Sequence, residues 1–445
     1  MKPLFKSFIA GLLLLFASAA LLPAAPAPVT LRIVPEHEIL PAHGSHKTVL
    51  QILIETEQLA TEVDRPPLNL CLVMDRSGSM QGDRIARARD AALAVINRLG
   101  SEDIFSLVTY DSTVETIFPA GRVRNKAALA ATVRRIEPRG MTALYGGVSQ
   151  GAAELRKHLD GPYIHRMILI SDGIANVGPS SPDDLARLGT ALSREGLPVT
   201  TIGLGLDYNE DLMTRLAARS QGNTYFVEAS RDLPRILDAE LGDTLSVVAR
   251  DAVLEIELPE GVRALRTIGS ESTLREDRVE VRLNQLQGGQ QHYVLLEVEV
   301  HGGATTERLE IGQARLRYRG LKDDSERMTE QSTVRVGFSE DEQAVRDSLN
   351  VTVQKEYLRN EMAWVKDRAI DLTDQGQQKE AAQLMRSYAA TFSSAPAAAR
   401  DPALMREVET LQQDSDTIEA EGMDNRSRKA MRAESYQIRS QQKSR

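Results

Sequence analysis

Leu70-Cys71-Leu72-Val73-Met74-Asp75-Arg76-Ser77-Gly78-Ser79-Met80 is the stretch that decides the fold. Five apolar residues end in a carboxylate, and two hydroxyls follow at alternate positions. An apolar run of this length reads as a buried strand. Its polar tip must turn out of the sheet, and Gly78 relaxes the backbone sterics there. Ser79 is placed to N-cap the next helix. That helix is expected from Ile85, Ala88, Ala92, Val95, Ile96 and Leu99, which recur at helical spacing, with Gly100 where a C′ glycine would stop it. Strand, polar turn and helix form the front edge of an open α/β sheet, where ligands bind outside the carboxyl ends of the strands.

A hard divalent cation gives the polar tip a chemical meaning. Mg²⁺ takes about six oxygens at roughly 2.1 Å, keeps several waters and is held by one or two carboxylates. Asp75, Ser77 and Ser79 offer three oxygens close together. Arg139-Gly140-Met141-Thr142-Ala143-Leu144 places a further hydroxyl in a loop before a helix predicted over Tyr145 to Leu159. Ile164 to Ile170 is a second apolar strand, and it runs into Ser171-Asp172-Gly173, so another carboxylate stands at a strand tip. The first triplet alone reads equally well as a capped turn. Thr142 and Asp172, in order and at the right strand ends, separate the two readings. Oxygen donors without nitrogen or sulfur favour Mg²⁺, with Mn²⁺ or Ca²⁺ as alternatives, over Zn²⁺.

The set Asp75, Ser77, Ser79, Thr142 and Asp172 resembles, at every position, the metal-ion-dependent adhesion site of von Willebrand factor A (VWA) domains. Met80, Gly82 and the segment Gly203 to Leu212 are similar to bacterial relatives of the inter-alpha-trypsin inhibitor heavy chains. The resemblance covers residues 66 to 245 and implies a Rossmann-like α/β domain. It also implies that Ser77, Ser79 and Thr142 approach the ion directly or through water, while Asp75 and Asp172 supply charge partly through water. In such domains a partner's Asp or Glu carboxylate takes the remaining position, which makes binding depend on the metal.

The 445 residues are too many for one ordinary core, so two or three domains are expected. A net charge of −9 argues against general nucleic-acid binding. Cys71 is the one cysteine, which excludes an intramolecular disulfide, and its place in a buried strand makes it an inert core residue. Lys2 and Lys6 precede an apolar stretch from Phe8 to Leu22, then small residues and prolines. This is the layout of a secretory signal peptide over 1–27, with an uncleaved membrane anchor as the alternative. No later apolar run reaches the roughly 20 residues of a spanning helix. The mature chain is therefore expected to lack a transmembrane helix and to be periplasmic or secreted.

Flanking the α/β region, Val29 to Val34 and Lys47 to Glu55 alternate as half-buried strands do. Ala252 to Leu258, Arg278 to Leu283, Gln291 to Val300, Ile311 to Tyr318 and Gln331 to Phe338 read likewise. Two strands alone cannot bury a face. The expected architecture is thus one β-sandwich, built from 28–65 and 246–338, with the VWA domain over 66–245 inserted between its strands. Pro66-Pro67 and Asp238 to Thr244 would be the crossing points. Residues 339–423 read as a helical hairpin, because Val345, Leu349, Val353, Tyr357, Leu358, Met362, Val365 and Ala369 share one face. Ser339 and Glu342 supply a capping-box signature, Gly376 breaks the pattern, and Lys379 to Phe392 resumes it. Trp364 reads as a packing anchor. Residues 424–445 carry seven Lys or Arg against two acidic residues and no strong apolar period, the pattern of a solvated, disordered tail.

Other signals are weaker. His37, His43 and His46 lie close together in a loop, where solvated histidines are the ordinary case. Gly203-Leu204-Gly205 lacks the third glycine of a dinucleotide loop. Asp111 ends the strand Ile104 to Tyr110 and is in reach of an ion's outer shell. The leading expectation is a non-enzymatic, exported, metal-dependent protein-binding module that serves adhesion or envelope assembly. The rival is a metal-assisted hydrolase using a bound water; against it, no His, Glu or Lys accompanies the five donors as a general base.

Overall fold

The computed structural model describes residues 29–57, 65–270, 272–305, 308–321 and 325–444. The expected signal peptide over 1–27 lies outside them. Strands β1 (Val29–Pro35), β2 (Ile39–Pro41) and β3 (Ser45–Thr56) come first. The α/β unit follows, opening with β4 (Leu68–Asp75), α1 (Asp83–Arg98), β5 (Ile104–Tyr110), β6 (Val114–Arg122) and α2 (Lys126–Val133). It continues through α3 (Leu144–Arg156), β7 (Ile164–Ser171), α4 (Pro182–Arg194) and β8 (Val199–Leu204), and closes with α5 (Glu210–Ser220), β9 (Thr224–Val227) and α6 (Leu233–Leu245).

The sheet runs β6-β5-β4-β7-β8-β9, parallel except for β6. Because side chains alternate across a strand, Leu70, Leu72 and Met74 of β4 enter one core with α1, α2 and α6. Cys71 and Val73 enter another with α3, α4 and α5. Both faces are covered, which is why β4 and β7 read as continuous apolar runs. The chain winds outward from β4 in one direction and from β7 in the other. Their adjacent carboxyl ends form the switch point, the place where open α/β sheets bind ligands.

Local details differ from expectation. Ser79 lies in a short 3₁₀ turn, Gly78–Met80, and α1 begins only at Asp83 after Gly82, so Ser79 caps nothing. Its hydroxyl is committed to the polar tip instead. Gly100 has no left-handed backbone, and its amide donates to Asp103. Residues 238–244 belong to α6, so the chain leaves the α/β unit at Ser246.

Next come β10 (Val247–Glu257), β11 (Val262–Ile268), β12 (Ser272–Leu274) and β13 (Arg278–Gln287). They are followed by β14 (Gln290–His301), β15 (Leu309–Gly320), β16 (Glu326–Met328) and β17 (Ser332–Ser339). One sheet orders β1-β3-β14-β11 and another β12-β13-β10-β15-β17-β2. β3 pairs antiparallel with β14 from Ser45↔His301 to Glu55↔Gln291, joining segments on either side of the α/β unit. Leu50, Ile52 and Ile54 of β3 share a core with Leu254 and Ile256 of β10 and Leu316 of β15.

The C-terminal part is more than a hairpin. It holds α7 (Glu342–Asp347), α8 (Val351–Asp374), α9 (Gln378–Ser393), α10 (Pro396–Arg400), α11 (Pro402–Glu421) and α12 (Asn425–Arg439). The expected capping box does not form. Asp341 caps α7, the Ser339 hydroxyl accepts from the Asp341 amide, and the Asn350 side chain starts α8, so the single helical face is two helices. Trp364 is half exposed, with its ring 5.9 Å from Tyr388 of α9.

The expected disordered tail over 424–445 is corrected by α12 and by β18 (Gln442–Ser444), which pairs with β14. Its positive charge is matched across the fold rather than solvated. Arg428 bridges Glu210 and Asp211 of α5 to Asp374 of α8, and Arg432 meets Asp211, Asp367 and Asp371. Lys429, itself buried, donates to the Tyr208 carbonyl at 2.7 Å and to Glu210. Among the described residues, no helix is long and apolar enough to cross a membrane.

Candidate metal centre

The structure brings the five expected residues to one place, at the carboxyl ends of β4 and β7. Asp75, the last residue of β4, accepts from the Ser77 amide at 2.7 Å on Oδ1 and from the Ser171 hydroxyl at 2.7 Å on Oδ2. The Ser77 and Ser79 hydroxyls lie 3.0 Å apart, and Ser79 donates to Asp172 Oδ1 at 2.8 Å. Asp75, Ser77, Thr142 and Asp172 are buried, whereas Ser79 is exposed. The cluster is thus a polar cup with one open side.

Thr142 is held from behind by its backbone. Its amide donates to the Asn176 side chain at 2.8 Å, and its carbonyl accepts from the amides of Asn176 and Val177. Gly173 lets the hydroxyls close in: a Cβ there would stand 3.1 Å from Thr142 Oγ1 and 3.5 Å from Ser79 Oγ. The loops are tied together by Gly78 N to Gly140 O at 3.1 Å and Arg139 N to Arg76 O at 2.7 Å.

The electrostatics fit a cation. Burial pushes the Asp75 carboxyl up to about 6, against the lowering effect of the Ser171 and Ser77 hydrogen bonds, and the neighbouring Asp172 raises it further. Two acids taken from water this close together repel. The Tyr110 hydroxyl beneath them is fully buried and, among the described residues, has no hydrogen bond of ordinary geometry. Two carboxylates, three hydroxyls and no soft ligand are the donor chemistry of a Mg²⁺-type ion. Those residues fit such a group and would hold it.

Four residues of the centre were not singled out from sequence: Ser171, Gly173, Asn176 and Arg84. Ser171 carried a signal, since it is a hydroxyl closing an otherwise apolar run. Arg84 donates to Asp172 Oδ2 at 2.6 Å. Asp111 does not join. Its carboxylate is taken by Arg76 and Arg139 at 2.8 and 2.9 Å and by Thr113. The histidines do not assemble a site: His43 pairs with Glu340, His46 bonds the His43 carbonyl, and His37 lies in a bridge to Leu349. Cys71 is fully buried, and burial pushes its thiol up to about 12.

Residues 69–239 match the von Willebrand factor type A domain family. The chain is 30% identical over 286 residues to an uncharacterized protein of Synechocystis, covering 62% of this chain and 67% of that one. It is 27% identical over 276 residues to the uncharacterized protein YfbK of Escherichia coli, covering 60% and 48%. To inter-alpha-trypsin inhibitor heavy chain H3 of Rattus norvegicus it is 26% identical over 164 residues, covering 35% and 18%. The chain therefore spans two thirds of the first relative's length, about half of the second's and under a fifth of the third's. A solved von Willebrand factor type A protein from Catenulispora acidiphila superposes with a TM-score of 0.71 at 15% identity, covering 91% of this chain and 96% of that one. The ArnB paralog VWA2 from Sulfolobus acidocaldarius does so with a TM-score of 0.59 at 17% identity, covering 93% and 98%. At these identities the likeness is one of fold.

Proposed function

Because the chain belongs to the von Willebrand factor type A domain family, we propose that it is an exported, metal-dependent protein-binding module acting in adhesion or envelope assembly. The observation that carries this reading is the convergence of Asp75, Ser77, Ser79, Thr142 and Asp172 into one open-sided cup at the sheet's switch point. When bound, Mg²⁺, or Mn²⁺ or Ca²⁺ in its place, supplies a positive position able to take a partner's Asp or Glu carboxylate.

The chain's own residues do the rest. Asn176 fixes the Thr142 loop, Ser171 orients Asp75, and the buried side chains under the tip exclude water from beneath it. Rigid backing matters because a cation site tolerates little error in donor position. Met141 and Ile174, 53% and 60% exposed, stand beside Thr142 and Gly173 and give the rim apolar surface for a partner.

The proposed action is binding without catalysis. Among the described residues, the guanidinium of Arg84 is the charged nitrogen group bonded to the five donors, and an arginine does not give up its proton to serve as a base. The two outer sheets are read as one β-sandwich carrying the VWA domain as an insertion; the β3–β14 pairing and the core shared by the two sheets support this. Export rests on the leader-like sequence over 1–27.

The test is affinity capture from an envelope extract with the purified chain, in Mg²⁺ and in chelator, repeated with Thr142→Ala and Asp172→Ala. The reading expects a protein retained in Mg²⁺ alone and lost with both variants. Equal retention in chelator, or by the variants, would move recognition elsewhere on the molecule.

A further inference from the structure

Arg84 occupies an electrostatically awkward place. It is the second residue of α1, where the helix dipole favours acids and disfavours cations. It is held there by the centre itself: Nη1 donates to Asp172 Oδ2 at 2.6 Å and Nη2 to Asp207 Oδ2 at 2.9 Å. Asp172 is fully buried, whereas the Asp207 side chain is 71% exposed. The loop after β8 lies against the guanidinium. Gly205 has φ +76°, and a Cβ there would lie 2.8 Å from Arg84 Nη2, so no other residue fits without displacing the arginine.

Asp75 and Asp172 bring two negative charges, and Arg84 cancels one of them at contact distance. Asp207 restores little, because an exposed carboxylate is screened by water and salt. A divalent ion in the cup would then leave a surplus of one positive charge rather than a neutral centre.

On the reading of this cluster as a metal centre, we propose that Arg84 is a resident counter-cation. It competes for Asp172, keeps metal affinity low, and leaves the loaded centre positively charged toward a partner's carboxylate. A divalent ion would enter by sharing Asp172 with the guanidinium or displacing it, rather than by meeting a bare acid.

The experiment is Mg²⁺ titration calorimetry of the purified chain, wild type against R84Q, R84M and R84K, with melting temperature in Mg²⁺ and in chelator as a second readout. Removing a unit charge this close to the ion should tighten Mg²⁺ binding about tenfold in R84Q and R84M. The Mg²⁺-dependent rise in melting temperature should grow with it. R84K keeps the charge and should stay within about threefold of wild type, although its ammonium lacks the two-armed fork. R84M retains the apolar stem and serves if R84Q does not fold. Unchanged or weaker Mg²⁺ binding in R84Q and R84M, or tightening in R84K as well, would overturn the proposal and leave the metal centre standing. Absence of Mg²⁺ binding in every variant would overturn both.

Discussion

Strand β4 has buried carboxylates at both ends, and they are built in opposite ways. Beside its first residue, Asp103 accepts both arms of Arg65 at 2.9 and 2.7 Å and the amides of Leu68 and Gly100 at 2.8 and 2.7 Å. Burial works to raise its carboxyl, but the guanidinium and the two amides outweigh this and hold it below the ordinary range. All of these partners are pure donors. At the other end, Asp75 and Asp172 each meet one N–H donor, the Ser77 amide and Arg84, and one hydroxyl, from Ser171 and Ser79, which can donate or accept. A carboxylate closed wholly by N–H groups is finished structure, whereas one that shares a rotatable hydroxyl keeps an oxygen able to turn toward a cation. On the proposed function, the same sheet carries a lock at one end and a receptacle at the other.

The largest effect that would sharpen this contrast is at the lock. Asp103→Ala removes the carboxylate that Arg65 and two amides share and should cost about 3 kcal/mol, as loss of one partner of a buried pair does. Mg²⁺ binding at the far end should be unchanged in the variant that remains folded. Chemical denaturation and calorimetry measure the two quantities; loss of both together would mean that the ends are not separable.

Acid should also attack the closed end. His165, near the start of β7 and 3.1 Å from Asn69 through Nδ1, is pushed down to about 4 by burial, with Arg250 nearby adding to the effect. A base whose folded value lies below its ordinary 6.5 binds more protons when unfolded. Its contribution is therefore complete above pH 6.5 and is lost as the pH falls toward 4, by up to about 3 kcal/mol. His292 in β14, also lowered to about 4 by burial, adds a loss of the same sign. Denaturation between pH 7 and 4 should show a falling stability, and His165→Gln should flatten the slope.

At the receptacle, effects on stability should be smaller than effects on binding. Thr142→Ala deletes one hydroxyl that no described group needs for folding. It should change stability by less than about 1 kcal/mol, while Mg²⁺ affinity falls about tenfold, in the range seen when a group of a metal site's surroundings is removed. A stability loss exceeding the loss in binding would assign Thr142 to the structure rather than to the ion.

The α/β core and its polar tip were legible because both are local. Apolar runs closing on Asp75 and Asp172 and the helical period of α1 each sit within a short window. What escaped was written between distant segments. The tail's charge became legible only when Arg428 and Arg432 stood opposite Asp211, Asp367 and Asp374, and nothing within 424–445 encodes that match. Strand β6 was missed because it is an edge strand with mixed exposure and Pro119 in its middle. The break before α8 was hidden because the apolar face keeps its phase across Ser348 to Asn350, although Asn350 is a good cap residue. Arg84 carries no local signal that sets it apart from the other charges of α1.

The proposed function requires that the end of β4 that carries Asp75 takes a hard divalent cation. Its most direct test is Mg²⁺ and Mn²⁺ titration calorimetry of the purified chain beside Asp75→Ala, with circular dichroism to establish that both are folded. The account predicts one saturable site in the wild type and none in the variant, with a melting temperature that rises with metal only in the former. Equal binding by the two proteins, or no binding by either, would contradict it.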